Sequence, residues 1–137
     1  MRTAIDTNVF SALWSSEPSA ERATVKLGEA KREGALIISP VVFAELLAYP
    51  RATEVFVRGF LGATGVSVDY NQEERVWIEM GRRFASYSDR RKKAIGEGPR
   101  RLLSDFLIGA HALVQAERLL TLDPKVYRQD FPELRLM

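Results

Sequence analysis

The sequence predicts an α/β fold in which a mostly parallel central sheet of four to five strands lies between two layers of helices. Short apolar runs typical of buried strands alternate along the chain with longer helical segments. Such alternation indicates parallel strands joined by helical crossovers. At 137 residues, the chain fits one domain, residues 1–137, which would bury about two-thirds of its unfolded surface. The expected architecture is therefore a three-layer α/β/α sandwich.

The first half of the chain is predicted to hold two strands and four helices. Ser39 is a favourable N-cap and Pro40 suits a first helical position, while Gly34 and Pro50 end the preceding and following helices. The predicted strands are TAID and ALIIS. The predicted helices are TNVFSALW, SAERATVKLGEAKRE, VVFAELLAY and TEVFVRGFLGAT.

The second half repeats the alternation with fewer elements. The predicted strands are GVSVD and RLLTLD, and the final LRLM is a possible additional edge strand. The predicted helices are NQEERVWIEMGRRFASYS, whose apolar residues recur near one face, and RLLSDFLIGAHALVQAE. The four main strands would therefore be joined by helical connections.

The composition excludes several classes of protein. Hydrophobic residues make up 46% and charged residues 28% of the chain, and no apolar run approaches membrane-spanning length. Asp6 interrupts the only early apolar stretch, so no signal-peptide pattern is present. The chain has no cysteine, which excludes a disulfide framework and thiolate metal sites. We therefore expect a cytoplasmic protein.

Four acidic residues interrupt apolar stretches, unlike most of the other acidic residues, which lie in polar or mixed-charge surroundings. They are Asp6, Glu45, Asp105 and Asp123. An ionised carboxylate in an apolar environment needs a hydrogen bond, a cationic partner or a metal ion. Each residue also has a purely structural explanation, either as a helix or turn cap or, for Glu45, as the partner of a distant arginine.

Their predicted positions suggest that the four carboxylates converge. Asp6 and Asp123 follow predicted strands, Glu45 lies about two turns into a predicted helix, and Asp105 lies in the first turns of another. In an open parallel sheet, ligands bind at the carboxyl ends of the strands, near the point where strand order reverses. Converging carboxylates without a basic partner favour a cation, and oxygen ligands favour Mg²⁺ or Mn²⁺ over zinc. Such an ion can activate water for phosphodiester hydrolysis.

A basic segment, residues 89–101, precedes Asp105. Its two glycines and one proline predict a mobile loop, and its cations are Arg90, Arg91, Lys92, Lys93, Arg100 and Arg101. We expect these side chains to attract RNA phosphates. A solvated helix end followed by a flexible connection is the alternative.

The chain resembles the PIN-domain ribonucleases, and among them the VapC toxins of type II toxin–antitoxin systems. The resemblance lies in AIDTNVF, PVVFAELLAY, SDFLIGAHAL and LLTLDPKVYRQDFPEL, and it covers essentially the whole chain. It implies a PIN-like sandwich and a Mg²⁺- or Mn²⁺-dependent endoribonuclease. The metal ligands it implies are Asp6, Glu45, Asp105 and Asp123. Thr7, Asn8 and Thr121 match positions that usually support the site, while the basic segment is longer than in many relatives.

The same resemblance implies partners. A small cognate antitoxin and a homodimer are expected. Apolar residues of the early helices could receive the antitoxin, namely Val9, Phe10, Leu13 and Trp14, although Val9 and Leu13 are better explained as core residues. Two alternatives stay open: a PIN-like RNA- or protein-binding module without catalytic activity, and a housekeeping RNA-processing nuclease. A haloacid dehalogenase-type phosphotransferase would need an aspartate where Asn8 stands, and no P-loop motif is present.

His111 is the only histidine and so a candidate general base. Six residues separate it from Asp105, which on a helix places the two side chains about 120° apart. We expect His111 to be a packed or surface residue. Trp14, Trp77 and Tyr87 could stack on RNA bases, although aromatic residues at helical spacing more often lie in a core or interface.

Overall fold

The structure is a computed structural model that describes residues 1–94 and 101–137. Its strands and helices alternate along these residues as the sequence predicts. In chain order they are β1 (Thr3–Ile5), α1 (Thr7–Trp14), α2 (Ala20–Glu33), β2 (Leu36–Ile38), α3 (Pro40–Leu47), α4 (Glu54–Thr64), β3 (Val66–Val68), α5 (Glu74–Ala94), α6 (Leu103–Gln115), β4 (Arg118–Leu120) and α7 (Lys125–Arg128).

The four strands form one parallel sheet in the order β3-β2-β1-β4. Ala4 in β1 lies opposite Ile37 of β2 on one side and Leu119 of β4 on the other. The chain moves outward from β1 through β2 to β3, and then returns to place β4 on the opposite side of β1. Strand order therefore reverses between β1 and β4, and a crevice is expected outside their carboxyl ends.

The final segment adds little to the sheet. Leu136 forms an isolated parallel bridge with Leu119, supported by a 2.9 Å bond from Met137 N to the Leu119 carbonyl. Within the residues that the structure describes, the sheet therefore has four full strands, and the possible edge strand is limited to this bridge.

The boundary between α5 and the basic segment differs from the sequence prediction. The helix was expected to end at about Ser88, but it continues to Ala94. Arginine and lysine are good helix formers, and the first glycine or proline after Ser88 is Gly96. An ion pair of 3.1 Å between Lys93 and Asp89, four residues apart, adds support. Residues 89–94 are therefore helical rather than part of a loop.

The core lies on both faces of the sheet, and helix α6 is its largest helical contributor. Phe106 is buried and stacks on Phe84 of α5, with ring centroids 5.2 Å apart. Gly109 faces Phe131, and a Cβ at this glycine would lie 2.6 Å from the phenylalanine ring. Only glycine therefore permits this approach. No helix among the described residues is long and apolar enough to span a membrane.

Candidate active site

A crevice of about 360 Å³ opens at the carboxyl edge of the sheet, where strand order reverses. All four acidic residues selected from the sequence line it. The lining residues are Asp6, Thr7, Asn8, Ser11, Glu45, Asp105, Ile108, Asp123 and Val126. The fold therefore brings together carboxylates that are up to 117 positions apart (123 − 6) in the chain.

Asp6 lies at the bottom of this crevice and is the most tightly held of the four. It follows β1 directly and is the N-cap of α1, where its Oδ1 accepts a 2.7 Å bond from the backbone N–H of Thr7. Its Oδ2 accepts bonds of 2.8 Å from the hydroxyls of Thr121 and Tyr127. The capping role and the position in the acidic cluster are therefore compatible.

The Asp6 carboxyl has a perturbed acidity. Burial raises its pKa to about 6, against the lowering effect of the bonds from Tyr127, Thr121 and Thr7. The charge on Asp105 raises the pKa further. Within the described residues, no nearby positive charge therefore offsets the cost of burying the ionised Asp6 carboxylate.

Glu45 and Asp105 lie at intermediate depth in the crevice. Glu45 Oε1 accepts a 2.7 Å bond from the Thr7 hydroxyl, and its Oε2 lies 3.5 Å from the Ser104 hydroxyl. Asp105, in the first turn of α6, accepts a 3.2 Å bond from the N–H of Leu102. Burial raises the pKa of Asp105 and the charge of Asp123 adds to this, whereas the Leu102 bond and the Arg101 charge lower it.

Asp123 is exposed at the mouth of the crevice, in the loop between β4 and α7. Asn8 and Thr121, two of the three polar residues predicted to support the site, hold this loop. Asn8 accepts a 3.1 Å bond from the N–H of Leu122 and donates at 3.2 Å to the Thr121 hydroxyl. That hydroxyl also accepts a 3.1 Å bond from the N–H of Asp123. Thr7, Asn8 and Thr121 therefore all contact the acidic residues or the loop that carries them.

The donor set fits a hard divalent cation. Among the described residues that line the crevice, none is lysine, arginine or histidine, so the carboxylates have no cationic neighbour in the lining. Oxygen-only ligands of this type suit Mg²⁺ or Mn²⁺. In the arrangement observed over residues 1–94 and 101–137, however, no three acidic or histidine side chains are grouped closely enough to hold one ion.

The six basic residues predicted to contact RNA do not share one environment. Arg90 forms an ion pair with the buried carboxylate of Asp130, and Lys93 pairs with the exposed Asp89. Arg91 and Lys92 also lie on α5. Arg100 lies outside the described residues. The guanidinium of Arg101 donates at 3.3 Å to the Lys125 carbonyl, near the loop that carries Asp123.

Arg22 is a further cationic residue near the crevice, and nothing in the sequence distinguishes it from other surface arginines. Arg22 of α2 approaches the carbonyl of Leu122, with 3.5 Å between Nη2 and the oxygen. Leu122 precedes Asp123 in the loop between β4 and α7, and Lys125, which Arg101 contacts, begins α7 directly after that loop. The charges of Arg22 and Arg101 border the acidic crevice without entering its lining.

His111 lies away from the crevice. It is fully buried in α6, and its Nε2 donates at 2.9 Å to Asp69, which also accepts a 2.7 Å bond from Gln115. Burial lowers the pKa of His111, while the hydrogen bond and charge of Asp69 raise it and Arg2 lowers it. This position agrees with the expectation that His111 is a packed residue.

The candidate aromatic residues have different surroundings. Trp14 packs edge-on against Tyr49, Phe56 and Phe60, with centroid separations of 5.2–5.4 Å. Trp77 is half exposed on α5. The hydroxyl of Tyr87 accepts a 2.7 Å bond from the N–H of Arg101.

Sequence reasoning missed Tyr127. This residue of α7 is buried, and its hydroxyl donates to Asp6 across 121 positions of the chain. The motif around Asp123 includes Tyr127, but nothing in its spacing separates a tyrosine that contacts Asp6 from an ordinary core aromatic. Ser104, beside Asp105, was missed for the same reason.

The fold and the crevice define a class of α/β proteins in which acidic side chains meet at the carboxyl edge of a parallel sheet. A family model described as "PIN domain" matches residues 3–132. The chain belongs to the PIN-domain family. A comparison with curated proteins returns no match.

Two solved structures are similar to the chain over its whole length. One is VapBC2 from Rickettsia felis bound to a DNA fragment from their promoter, with 19% identity, a TM-score of 0.71, and coverage of 100% of this chain and 98% of that chain. The other is VapBC-1 from nontypeable Haemophilus influenzae, with 24% identity, a TM-score of 0.67, and coverage of 100% and 97%. At these identities, the likeness establishes the fold.

Proposed function

We propose that this PIN domain is a metal-dependent endoribonuclease and the toxin of a VapC-type toxin–antitoxin pair. The observation that carries the proposal is the convergence of Asp6, Glu45, Asp105 and Asp123 on one crevice with no basic residue among its described lining. Four carboxylates in one site repel one another unless a cation is present. Mg²⁺ or Mn²⁺ is the cation that their oxygen atoms favour.

The four carboxylates are the proposed ligands. A bound divalent ion would lower the pKa of a water molecule and stabilise charge at a scissile phosphodiester. The chain itself orients the ligands: Thr7 fixes Glu45, and Thr121 fixes Asp6. Asp123, exposed at the mouth, would contribute its charge to the ion through a water molecule.

RNA is the proposed substrate because cations border the acidic crevice. Arg22 reaches Leu122 in the loop that carries Asp123, and Arg101 reaches Lys125 at the start of α7. The basic end of α5 precedes Asp105 in the chain. Together they would hold the phosphate backbone beside the carboxylates. The proposed RNA contacts in the basic segment are Arg90, Arg91, Lys92, Lys93, Arg100 and Arg101. Arg90 also forms an ion pair with Asp130.

An antitoxin is the proposed protein partner. The two similar solved structures carry VapBC names, and both cover this chain completely. Of the apolar residues considered for the contact, Val9 and Phe10 are fully buried, whereas Leu13 and Trp14 are partly buried. Leu13 and Trp14 are therefore the better candidates. A homodimer and a cytoplasmic location belong to the same proposal.

Cleavage of RNA with added Mn²⁺ or Mg²⁺, and its loss with EDTA, tests the nuclease. Asp6→Asn, Glu45→Gln and Asp105→Asn keep side-chain shape while removing a ligand charge, and each should abolish cleavage with the fold intact. Asp123→Asn should be milder, because the exposed carboxylate can act through water. The matched control is Glu54→Gln, an exposed change on α4 away from the crevice lining. Wild-type turnover by the first three variants would refute the assignment.

Growth assays test the toxin role. Expression of the chain alone should arrest growth, Asp6→Asn should not, and co-expression of a neighbouring small open reading frame should restore growth and yield a complex that co-purifies. RNA cleavage in vitro by a wild type that is harmless at high expression would instead support a housekeeping nuclease. Metal-independent RNA binding without cleavage would support a non-catalytic module.

A further inference from the structure

Tyr127 contacts the deepest carboxylate of the crevice. Its side chain is buried, with 1% of its surface exposed, and its hydroxyl lies 2.8 Å from Asp6 Oδ2. The contact joins α7 to the start of α1. It therefore connects the segment after Asp123 to the carboxylate that follows β1.

The hydrogen bonds of Asp6 limit how it can bind anything else. An ionised carboxylate has about four acceptor positions. Three are occupied, by the N–H of Thr7, the hydroxyl of Thr121 and the hydroxyl of Tyr127. About one position therefore remains, and Asp6 borders the crevice. With one donor removed, about two positions would be free and the carboxylate could rotate about its Cβ–Cγ bond.

We infer that Tyr127 is a positioning residue, whose hydroxyl holds the Asp6 carboxylate in a single orientation that offers one lone pair to a divalent cation. The inference rests on the proposed nuclease function and adds to it a residue outside the four carboxylates. Partners that hydrogen-bond to ligating carboxylates typically change metal affinity or activity by about 10–100-fold when they are mutated.

The hydroxyl is separable from the structural role of the ring. The Tyr127 ring packs against Phe131 at a centroid distance of 6.4 Å, and its backbone N–H and carbonyl bond to Pro124 and Phe131. Asp130, next to Phe131, is held to α5 by its ion pair with Arg90. Removal of the hydroxyl alone leaves all of these contacts in place, so Tyr127→Phe isolates the bond to Asp6.

The experiment compares Tyr127→Phe with wild type and with Tyr70→Phe. Tyr70 is 60% exposed and does not line the crevice, so its variant controls for the loss of a phenolic hydroxyl. Mn²⁺ affinity is measured by calorimetry without RNA, and kcat and KM are measured on one RNA substrate. All assays run well below the melting temperature of each variant, with circular dichroism to establish folding.

We expect Tyr127→Phe to bind Mn²⁺ about tenfold more weakly and to lose kcat, with an unchanged KM for RNA, because the basic residues that hold RNA are untouched. Tyr70→Phe should match wild type in every measurement. A Tyr127→Phe variant with wild-type Mn²⁺ affinity and kcat would overturn the positioning role alone. A wild type that neither binds Mn²⁺ nor cleaves RNA would overturn the proposed function itself.

Discussion

The hydroxyl of Thr7 donates to Oε1 of Glu45 across 2.7 Å, which joins the first turn of α1 to the second turn of α3. The backbone N–H of the same threonine donates to Asp6. One residue therefore positions two of the four carboxylates, one through its main chain and the other through its side chain.

Replacement of Thr7 by valine should separate these two roles. Valine keeps the branched shape and the N–H to Asp6 but removes the donor to Glu45. We expect cleavage to fall about 10–100-fold, because Glu45 loses the bond that orients it. Thr7→Ser, which keeps the hydroxyl, should retain most of the activity in the same assay. Equal activity of the valine and serine variants would contradict this role.

Stability of the metal-free protein should depend on the Asp6 carboxyl. Its pKa rises from 3.8 to about 6 on folding, so the folded state holds the proton more tightly than the unfolded chain does. Stability therefore falls as pH rises through this interval, and above it the cost is about 3 kcal/mol. Asp6→Asn removes the ionisation and should be more stable than wild type near about pH 8.

Urea unfolding at a series of pH values, with EDTA present, measures this effect. The advantage of Asp6→Asn should shrink as pH falls through about 6 and disappear below about pH 4, where the wild-type carboxyl is protonated in both states. The exposed change Asp89→Asn serves as the control and should show no such trend. A difference between Asp6→Asn and wild type that is independent of pH would refute the explanation.

Arg90 should contribute more to stability than its neighbour Lys92. Its partner Asp130 has a side chain only 3% exposed, so Arg90→Ala leaves a buried carboxylate without its cation. We expect a loss of about 1–3 kcal/mol in the free energy of unfolding. Lys92→Ala, at an exposed position on α5, should unfold like wild type but bind RNA more weakly and with a flatter salt dependence. Unchanged stability of Arg90→Ala would leave RNA binding as its main role.

His111 should be dispensable for catalysis. Burial lowers the pKa of its imidazole, although the bond and charge of Asp69 oppose this, so a neutral ring lies in the core away from the crevice. His111→Gln keeps a donor to Asp69 at similar reach. It should lower the melting temperature with kcat unchanged, measured on the same RNA. A large loss of kcat without a change in melting temperature would instead place His111 in the reaction.

Local physical chemistry in the sequence determined the order of the elements and most of their boundaries. TNVFSALW coincides with α1, and Ser39 and Pro40 mark the start of α3 as predicted. These capping signals involve residues within one or two helical turns of each other, so they can be recognised from the sequence alone. The extension of α5 to Ala94 was missed because the glycines and proline at positions 96–99 were taken to make the whole segment 89–101 a loop.

The selection of Asp6, Glu45, Asp105 and Asp123 also came from the sequence, because an acidic residue in an apolar stretch is visible without a structure. Their location in one crevice depends on the strand order β3-β2-β1-β4, which places the reversal between β1 and β4. The partners of these carboxylates depend on side chains brought together over long chain separations. Tyr127 meets Asp6, and Asp130 meets Arg90, because packing brings together residues 121 and 40 positions apart. A sequence pattern records periodicity along the chain, whereas contacts at these separations are fixed only when the helices pack on the sheet.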